Sequence, residues 1–201
     1  MNSIKYLILS LICLAFQTPT KTILFFGDSL SAGYGLSPEQ AFPTLVEKAL
    51  LQENRQVKVI NAGLSGETSA GGLSRIDWVL RQPVDVFVLE LGANDGLRGL
   101  PLSQTRENLQ AILDKVKAKY PRAKVLLTGM MVPPNMGASY ADEFKKIYPD
   151  LAARNKAALM PFLLEGVGGD EKLNQADGIH PNVAGHKIVA NHLVPYLRKL
   201  L

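Results

Sequence analysis

Two short segments of the chain carry residues that could perform nucleophilic chemistry. Ser29 lies in Gly-Asp-Ser-Leu at 27–30, and Asp177 precedes His180 by three positions in Asp-Gly-Ile-His. A serine hydroxyl is almost unionised at neutral pH, so it attacks a carbonyl only when a base takes its proton and a third group orients that base. Pro181 suits the first turn of a helix predicted to follow. We therefore predict that Ser29 is the nucleophile, His180 its base and Asp177 the orienting carboxylate.

The elements that must position these residues alternate along the chain. Apolar runs predict strands at 22–26, 57–60, 84–91, 123–128 and 162–167, and helical spacing predicts helices at 40–53, 70–81, 103–119, 140–159 and 182–201. Strands that are apolar throughout are buried on both faces, and their alternation with helices indicates a parallel sheet with right-handed crossovers. The sequence predicts a three-layer α/β/α domain with a flavodoxin-like sheet of about five strands. The fifth run contains Glu165, and an extended loop is the alternative there.

Polar clusters follow the predicted strands. Residues 27–29, 61–63 and 92–95 come directly after the first three strands, and 177–180 comes after the fifth. Parallel α/β sheets bind ligands outside the carboxyl ends of their strands, so these clusters are expected at one edge. There the backbone amides of Ser29 and Gly63 and the side-chain amide of Asn94 could donate to a developing oxyanion. Gly63 lacks a Cβ, which lets its amide approach a substrate closely.

The four clusters resemble, one by one, the motifs of the GDSL, or SGNH, hydrolase superfamily. The resemblance extends from about Thr22 to the C-terminus. It implies that Ser29 is the nucleophile, that Gly63 and Asn94 contribute to the oxyanion hole, and that Asp177 and His180 complete the site. The loop at 27–35 and the short single-domain form are similar to those of bacterial members with esterase, thioesterase and lysophospholipase activity. We expect no cofactor.

The loops after the third and fourth predicted strands are candidates for the acyl pocket, with the residues Gly96, Leu97, Met130, Met131, Val132 and Pro133. Methionine is unbranched and adaptable, so these loops suit flexible acyl chains. Packing beneath the helix near Tyr140 is the alternative role for the methionines. We predict hydrolysis of fatty acyl esters and thioesters. A short-chain or carbohydrate acetyl esterase, and a noncatalytic flavodoxin-like binding module, are the alternatives.

Spacing and charge argue against other classes of protein. His180, His186 and His192 are six residues apart, which turns each by about 240° on a helix, so they cannot form one metal-binding stripe. We predict no metal site. The glycine-rich loop at 27–35 lacks the end of a P-loop and the third glycine of a dinucleotide loop. The net charge of +4 is modest, and the basic stretch at 115–124 suits a solvated helix face, so we expect no nucleic-acid partner.

The N-terminal residues differ from the rest of the chain. Lys5 is followed by an apolar run at 6–16, interrupted only by Ser10, and then by the polar residues 17–20. The run is too short to span a membrane and is typical of a secretory signal peptide, although an uncleaved tail or membrane anchor is the alternative. We predict a signal peptide at 1–20 and a hydrolase domain at 21–201. The domain is expected to be exported, to the periplasm or beyond, as a monomer without stable membrane insertion.

Overall fold

The computed structural model describes residues 19–201, within which it has five strands and seven α-helices. The strands are β1 (Lys21–Gly27), β2 (Val57–Asn61), β3 (Val86–Glu90), β4 (Lys124–Thr128) and β5 (Ala158–Met160). The helices are α1 (Ser29–Ala32), α2 (Phe42–Gln52), α3 (Ser69–Val79), α4 (Ala93–Leu97), α5 (Leu102–Lys119), α6 (Ala138–Asn155) and α7 (Val183–Arg198). The predicted signal peptide at 1–20 lies outside the described residues, apart from its last two.

All five strands pair in parallel, in the order β2-β1-β3-β4-β5, which is the flavodoxin-like order. The two central strands, β1 and β3, are almost entirely buried because helices cover both faces of the sheet. Helix α2 packs against α7, and α5 packs against both α3 and α6, which gives the two helical layers. The predicted three-layer α/β/α architecture is therefore confirmed. Within residues 19–201, no helix has the length and apolar character needed to cross a membrane.

The fifth strand lies earlier than predicted. Helix α6 ends at Asn155, because Lys156 adopts a left-handed conformation with φ of 51°, and β5 occupies 158–160. The predicted strand at 162–167 is wrong, since this segment forms turns, and the predicted helix at 140–159 runs four residues too far. Leu163 and Val167 are nevertheless completely buried. These residues are apolar because the loop after β5 packs into the core. In the sequence, such a buried loop gives the same apolar pattern as a buried strand.

Candidate active site

Ser29 is the first residue of α1, which follows β1 after the single residue Asp28. The Asp28 carboxylate caps this four-residue helix, because its Oδ1 accepts the backbone amide of Leu30 at 3.0 Å. Gly33 ends the helix in the left-handed conformation, with φ of 73°. The tight turn holds Ser29 at the carboxyl edge of the sheet, as the sequence predicts.

His180 and Asp177 reach Ser29 from the segment before α7. His180 Nε2 lies 2.9 Å from Ser29 Oγ, and His180 Nδ1 lies 2.6 Å from Asp177 Oδ2. With the ring proton on Nδ1, His180 donates to the carboxylate and its Nε2 accepts the serine hydroxyl. The structure therefore brings the three residues into one hydrogen-bonded line, although 151 positions separate Ser29 from His180.

A tight turn fixes the carboxylate of Asp177. Its Oδ1 accepts the backbone amides of Ile179 at 2.9 Å and His180 at 3.0 Å, while Gly178 takes a positive φ of 70°. The hydrogen bonds from the His180 amide and then from its ring lower the pKa of Asp177 to about 2. Asp177 is therefore ionised at neutral pH and orients the imidazole. Asn182 caps α7, so Pro181 precedes the helix instead of starting it.

Tyr34 packs against the His180 ring, and the sequence analysis did not identify it as a site residue. The two ring centroids are 4.6 Å apart, with an angle of 39° between the planes. The backbone carbonyl of Tyr34 accepts a hydrogen bond from Gln175 Nε2 at 2.7 Å, which ties the α1 loop to the histidine segment. Tyr34 lies between two glycines of the 27–35 loop, and its residue type and spacing do not indicate this contact.

Asn94 lies in α4, directly after β3, beside the serine turn. Its Nδ2 donates to Asp28 Oδ2 at 3.0 Å, which leaves a second N–H on the same nitrogen. The next residue, Asp95, anchors α4 by accepting the backbone amide of Ser69 at 2.8 Å and its hydroxyl at 2.5 Å. The carboxylates of Asp28 and Asp95 therefore hold the two turns that carry Ser29 and Asn94. The side-chain amide of Asn94 is thus held in place, with one N–H that meets no acceptor within residues 19–201.

Gly63 has a different environment from the one expected of an oxyanion donor. Its amide donates to Asn61 Oδ1 at 3.0 Å, and a Cβ at this position would lie 2.3 Å from the Ala32 amide nitrogen. Gly63 thus packs against the far end of α1, and its amide is already used by Asn61. Its glycine is explained by close backbone packing.

Gly66, further along the same loop, is the alternative donor. It is exposed and has a positive φ of 78°, and its amide donates to no acceptor within residues 19–201. The loop is tied to α4 because Arg98 donates to the Gly66 carbonyl at 2.9 Å and Ser69 binds Asp95. These contacts bring Gly66 alongside the helix that carries Asn94. In the sequence both glycines are plausible oxyanion donors, and only the conformation of the loop distinguishes them.

A cavity of about 550 Å³ opens beside Ser29 and His180. Five of the predicted pocket residues line it: Leu97, Met130, Met131, Val132 and Pro133. Gly96 does not, because it is buried and a Cβ there would lie 2.4 Å from Val132 Cγ1 and 2.7 Å from the Phe144 ring. The sequence analysis missed Phe162, Leu164, Gly168, Gly169 and Ile179, which also line the cavity. Phe162 and Leu164 were missed because they lie in the segment wrongly predicted to be the fifth strand.

A parallel α/β fold that places serine, histidine and carboxylate in one line beside an apolar cavity has the geometry of a serine hydrolase. Residues 25–188 match the model of the GDSL-like lipase/acylhydrolase family, and the chain belongs to that family. It is 43% identical to esterase TesA of Pseudomonas aeruginosa over 194 residues, 96% of either chain. The predicted resemblance and enzyme class, an acyl ester hydrolase, are therefore confirmed.

Two further proteins support this relationship. The chain is 41% identical over 197 residues to thioesterase 1/protease 1/lysophospholipase L1 of Escherichia coli K12, covering 96% of this chain and 91% of the relative. Among solved structures, the psychrotrophic esterase EstA from Pseudoalteromonas sp., inhibited by monoethylphosphonate, superposes with a TM-score of 0.84. That structure is 36% identical in sequence, and the match covers 89% of this chain and 97% of EstA.

Proposed function

We propose that the protein hydrolyses fatty acyl esters and thioesters through an acyl-enzyme on Ser29. The observation that carries this proposal is the hydrogen-bonded line from Ser29 through His180 to Asp177 at the mouth of an apolar cavity. In the first step His180 Nε2 takes the serine proton as Oγ attacks the acyl carbon, and the imidazolium then protonates the leaving alcohol or thiol. A water, activated by the same histidine, hydrolyses the acyl-enzyme and regenerates Ser29.

The negative charge that develops on the carbonyl oxygen requires donors that are already in place. The second N–H of Asn94 Nδ2 and the backbone amide of Ser29 are the first two donors in this proposal. We assign the third to the amide of Gly66, because Gly63 donates to Asn61 and faces α1. Losing one such donor typically slows an acyl transfer by about a hundred- to thousand-fold.

The cavity favours acyl chains longer than acetyl. Met130, Val132, Leu164 and Phe162 give it apolar walls, while Leu97, Met131 and Ile179 form a partly exposed rim, between 38% and 49% exposed. Burying each methylene of a chain against such walls contributes about 0.8 kcal/mol. An acetyl group would leave most of the 550 Å³ unfilled. A carbohydrate acetyl esterase, which would need polar groups around its leaving group, has less support here.

A fluorophosphonate probe tests the nucleophile directly. The wild-type protein should be labelled at Ser29, and Ser29→Ala should lose both the label and the esterase activity. Ser65→Ala is the matched control, because Ser65 is an exposed serine on the neighbouring loop and its removal should change neither result. Labelling that persists in Ser29→Ala would contradict the proposed nucleophile.

Hydrolysis of p-nitrophenyl acetate, octanoate and palmitate tests the acyl group. We expect the octanoate ester to have a higher kcat/KM than the acetate ester, and Met131→Trp to lower that ratio by about tenfold by filling the cavity. Leu51→Trp is the control, because Leu51 is also an exposed apolar residue, 46% exposed against 39% for Met131, but lies on α2. A strong preference for acetate in the wild-type protein would refute the fatty acyl proposal.

Export and a monomeric state complete the proposal. They rest on the leader-like composition of residues 1–20 and on the single-domain form of the chain. Fractionation of cells that express the full chain, with mass determination of the purified protein by light scattering, tests both. Retention in the cytoplasm at full length would contradict export.

A further inference from the structure

Glu90 is a fully buried carboxyl group beneath the turn that carries Ser29. It is the last residue of β3, and it pairs in register with Gly27 of β1. Its Oε2 accepts three hydrogen bonds, from the amides of Asp28 and Ser31, each at 3.1 Å, and from the Ser31 hydroxyl at 2.7 Å. A Cβ at Gly27 would lie 2.2 Å from this oxygen, so β1 requires glycine there. Glu90 thus holds the backbone on both sides of Ser29.

The other oxygen of Glu90, Oε1, is shielded from water and accepts no hydrogen bond within residues 19–201. A buried polar atom without a partner is costly, and an unpaired buried charge more so. The neighbouring acid, Asp28, is itself only 1% exposed. In the described part of the chain, neither carboxyl group forms an ion pair with a lysine or arginine. Two buried carboxylates without a cation cannot both be ionised at low cost.

The surroundings of Glu90 and Asp28 decide which of the two carboxyl groups keeps a proton at neutral pH. Burial, and then the negative charge of Asp28, raise the pKa of Glu90 well above its usual range. Burial raises the pKa of Asp28 to about 6, although hydrogen bonds from Leu30, Glu90 and Asn94 and the charge of His180 oppose the rise. Tyr148, which also lies near the two acids, remains neutral because burial, and then the charges of Glu90 and Asp28, raise its pKa well above the usual range. At neutral pH the proton therefore belongs to Glu90 and the negative charge to Asp28.

We propose that Glu90 is a neutral acid that positions the catalytic groups, with a proton on Oε1 that it donates to the Asp28 carboxylate. This placement gives Glu90 Oε1, which otherwise has no partner within residues 19–201, a hydrogen bond and removes the repulsion between the two acids. The proposal rests on the proposed roles of Ser29 and Asn94. Asp28, fixed by Glu90, accepts one N–H of Asn94 through Oδ2 and so aims the other at the substrate.

A neutral Glu90 also limits the charge behind the oxyanion hole. An ionised Asp28 attracts the imidazolium that forms on His180 during the reaction. A second negative charge, on Glu90 beneath the same turn, would repel the developing oxyanion and weaken the binding of the transition state. If Glu90 is neutral, an uncharged side chain of the same shape should be able to replace it.

Two variants of Glu90 test this prediction. In Glu90→Gln the amide carbonyl can accept from Asp28 and Ser31, and the NH₂ group can donate to the Asp28 carboxylate. Glu90→Leu fills a similar volume without either interaction. We expect Glu90→Leu to lower kcat by about a hundredfold with little change in KM, and Glu90→Gln to restore kcat to within about threefold of wild type. An equal loss of kcat in both variants would overturn the proposal, because an ionised Glu90 would then be required.

Infrared spectroscopy measures the proton independently of activity. Protein labelled with ¹³C in the glutamate side chains should show a protonated carboxyl band at pH 8 that is absent from Glu90→Gln. A wild-type protein without this band, or a band that shifts with labelled aspartate instead, would refute the assignment. The infrared result stands even when Glu90→Leu fails to fold. Fluorophosphonate labelling of the wild-type protein distinguishes a failure of the Glu90 proposal from a failure of the proposed function. It reports only whether Ser29 is a reactive nucleophile.

Discussion

Acid should destabilise this protein through His186, a histidine on α7 that is only 1% exposed. Its Nδ1 accepts the backbone amide of Phe42, the first residue of α2, at 3.0 Å, and its ring stacks on that of Phe42 with centroids 5.8 Å apart. A proton on Nδ1 would abolish this hydrogen bond and place a charge in the core. Burial, and secondarily the charge of His180, lower the pKa of His186 from 6.5 to about 4.

The sign and size of the effect follow from this shift. The folded-state pKa is below the unfolded value, so the unfolded chain binds more protons and the stabilisation from a neutral His186 is complete above pH 6.5. It is lost as the pH falls from 6.5 towards 4. With each pKa unit equivalent to about 1.36 kcal/mol, the loss between pH 7.5 and 4.5 is about 2.5 kcal/mol. Asp28 acts in the opposite sense, because its pKa is raised and its contribution to stability increases as the pH falls from 6 towards 3.8.

Urea denaturation of the wild-type protein and His186→Asn at several pH values between 7.5 and 4.5 isolates the histidine. Asparagine can accept the Phe42 amide through Oδ1 and does not titrate, and the contributions of Asp28 and Glu90 cancel in the comparison. The difference in the free energy of unfolding should move in favour of the variant by about 2.5 kcal/mol on acidification. His192→Asn is the control, because His192 is an exposed histidine on the same helix. A pH-independent difference between wild type and His186→Asn would refute the reasoning.

Two further predictions concern the site and its support. Asp177→Asn should lower kcat by about 10⁴-fold, measured with p-nitrophenyl octanoate, because the amide favours the wrong tautomer of His180; a loss below tenfold would contradict the role of the carboxylate. Arg75 pairs with the buried Glu67 and donates to the Ala62 carbonyl at 2.8 Å, so Arg75→Met should lower the free energy of unfolding by about 3 kcal/mol. Adding Glu67→Gln should recover part of that loss in thermal or urea unfolding, and no recovery would argue against the buried charge as its cause.

The sequence predicts most of the sheet and the turns that carry Ser29, Asp177 and His180, because these depend on local patterns. Continuous apolar runs locate four of the five strands, and the polar residues that follow them lie at the carboxyl edge in the structure. The spacing of Asp177 and His180 is also a local property, since one turn holds the carboxylate against the amide and the ring of His180. The misplaced fifth strand shows the limit of this approach. Leu163 and Val167 are buried by a loop, and periodicity alone does not distinguish a buried loop from a strand.

Residue types and spacing are enough to predict the reacting groups, because the Gly-Asp-Ser turn and the Asp-x-x-His turn each form from residues close in the chain. The groups that support them depend on contacts between distant segments. The parallel pairing of β1 with β3 brings the carboxyl group of Glu90, 62 positions from Asp28, beneath the serine turn. The same is true of Gly63, which packs on α1, and of Phe162, which lines the cavity. Strand register and loop packing decide which side chains are buried and which distant residues come into contact. Residue type and spacing alone do not reveal them.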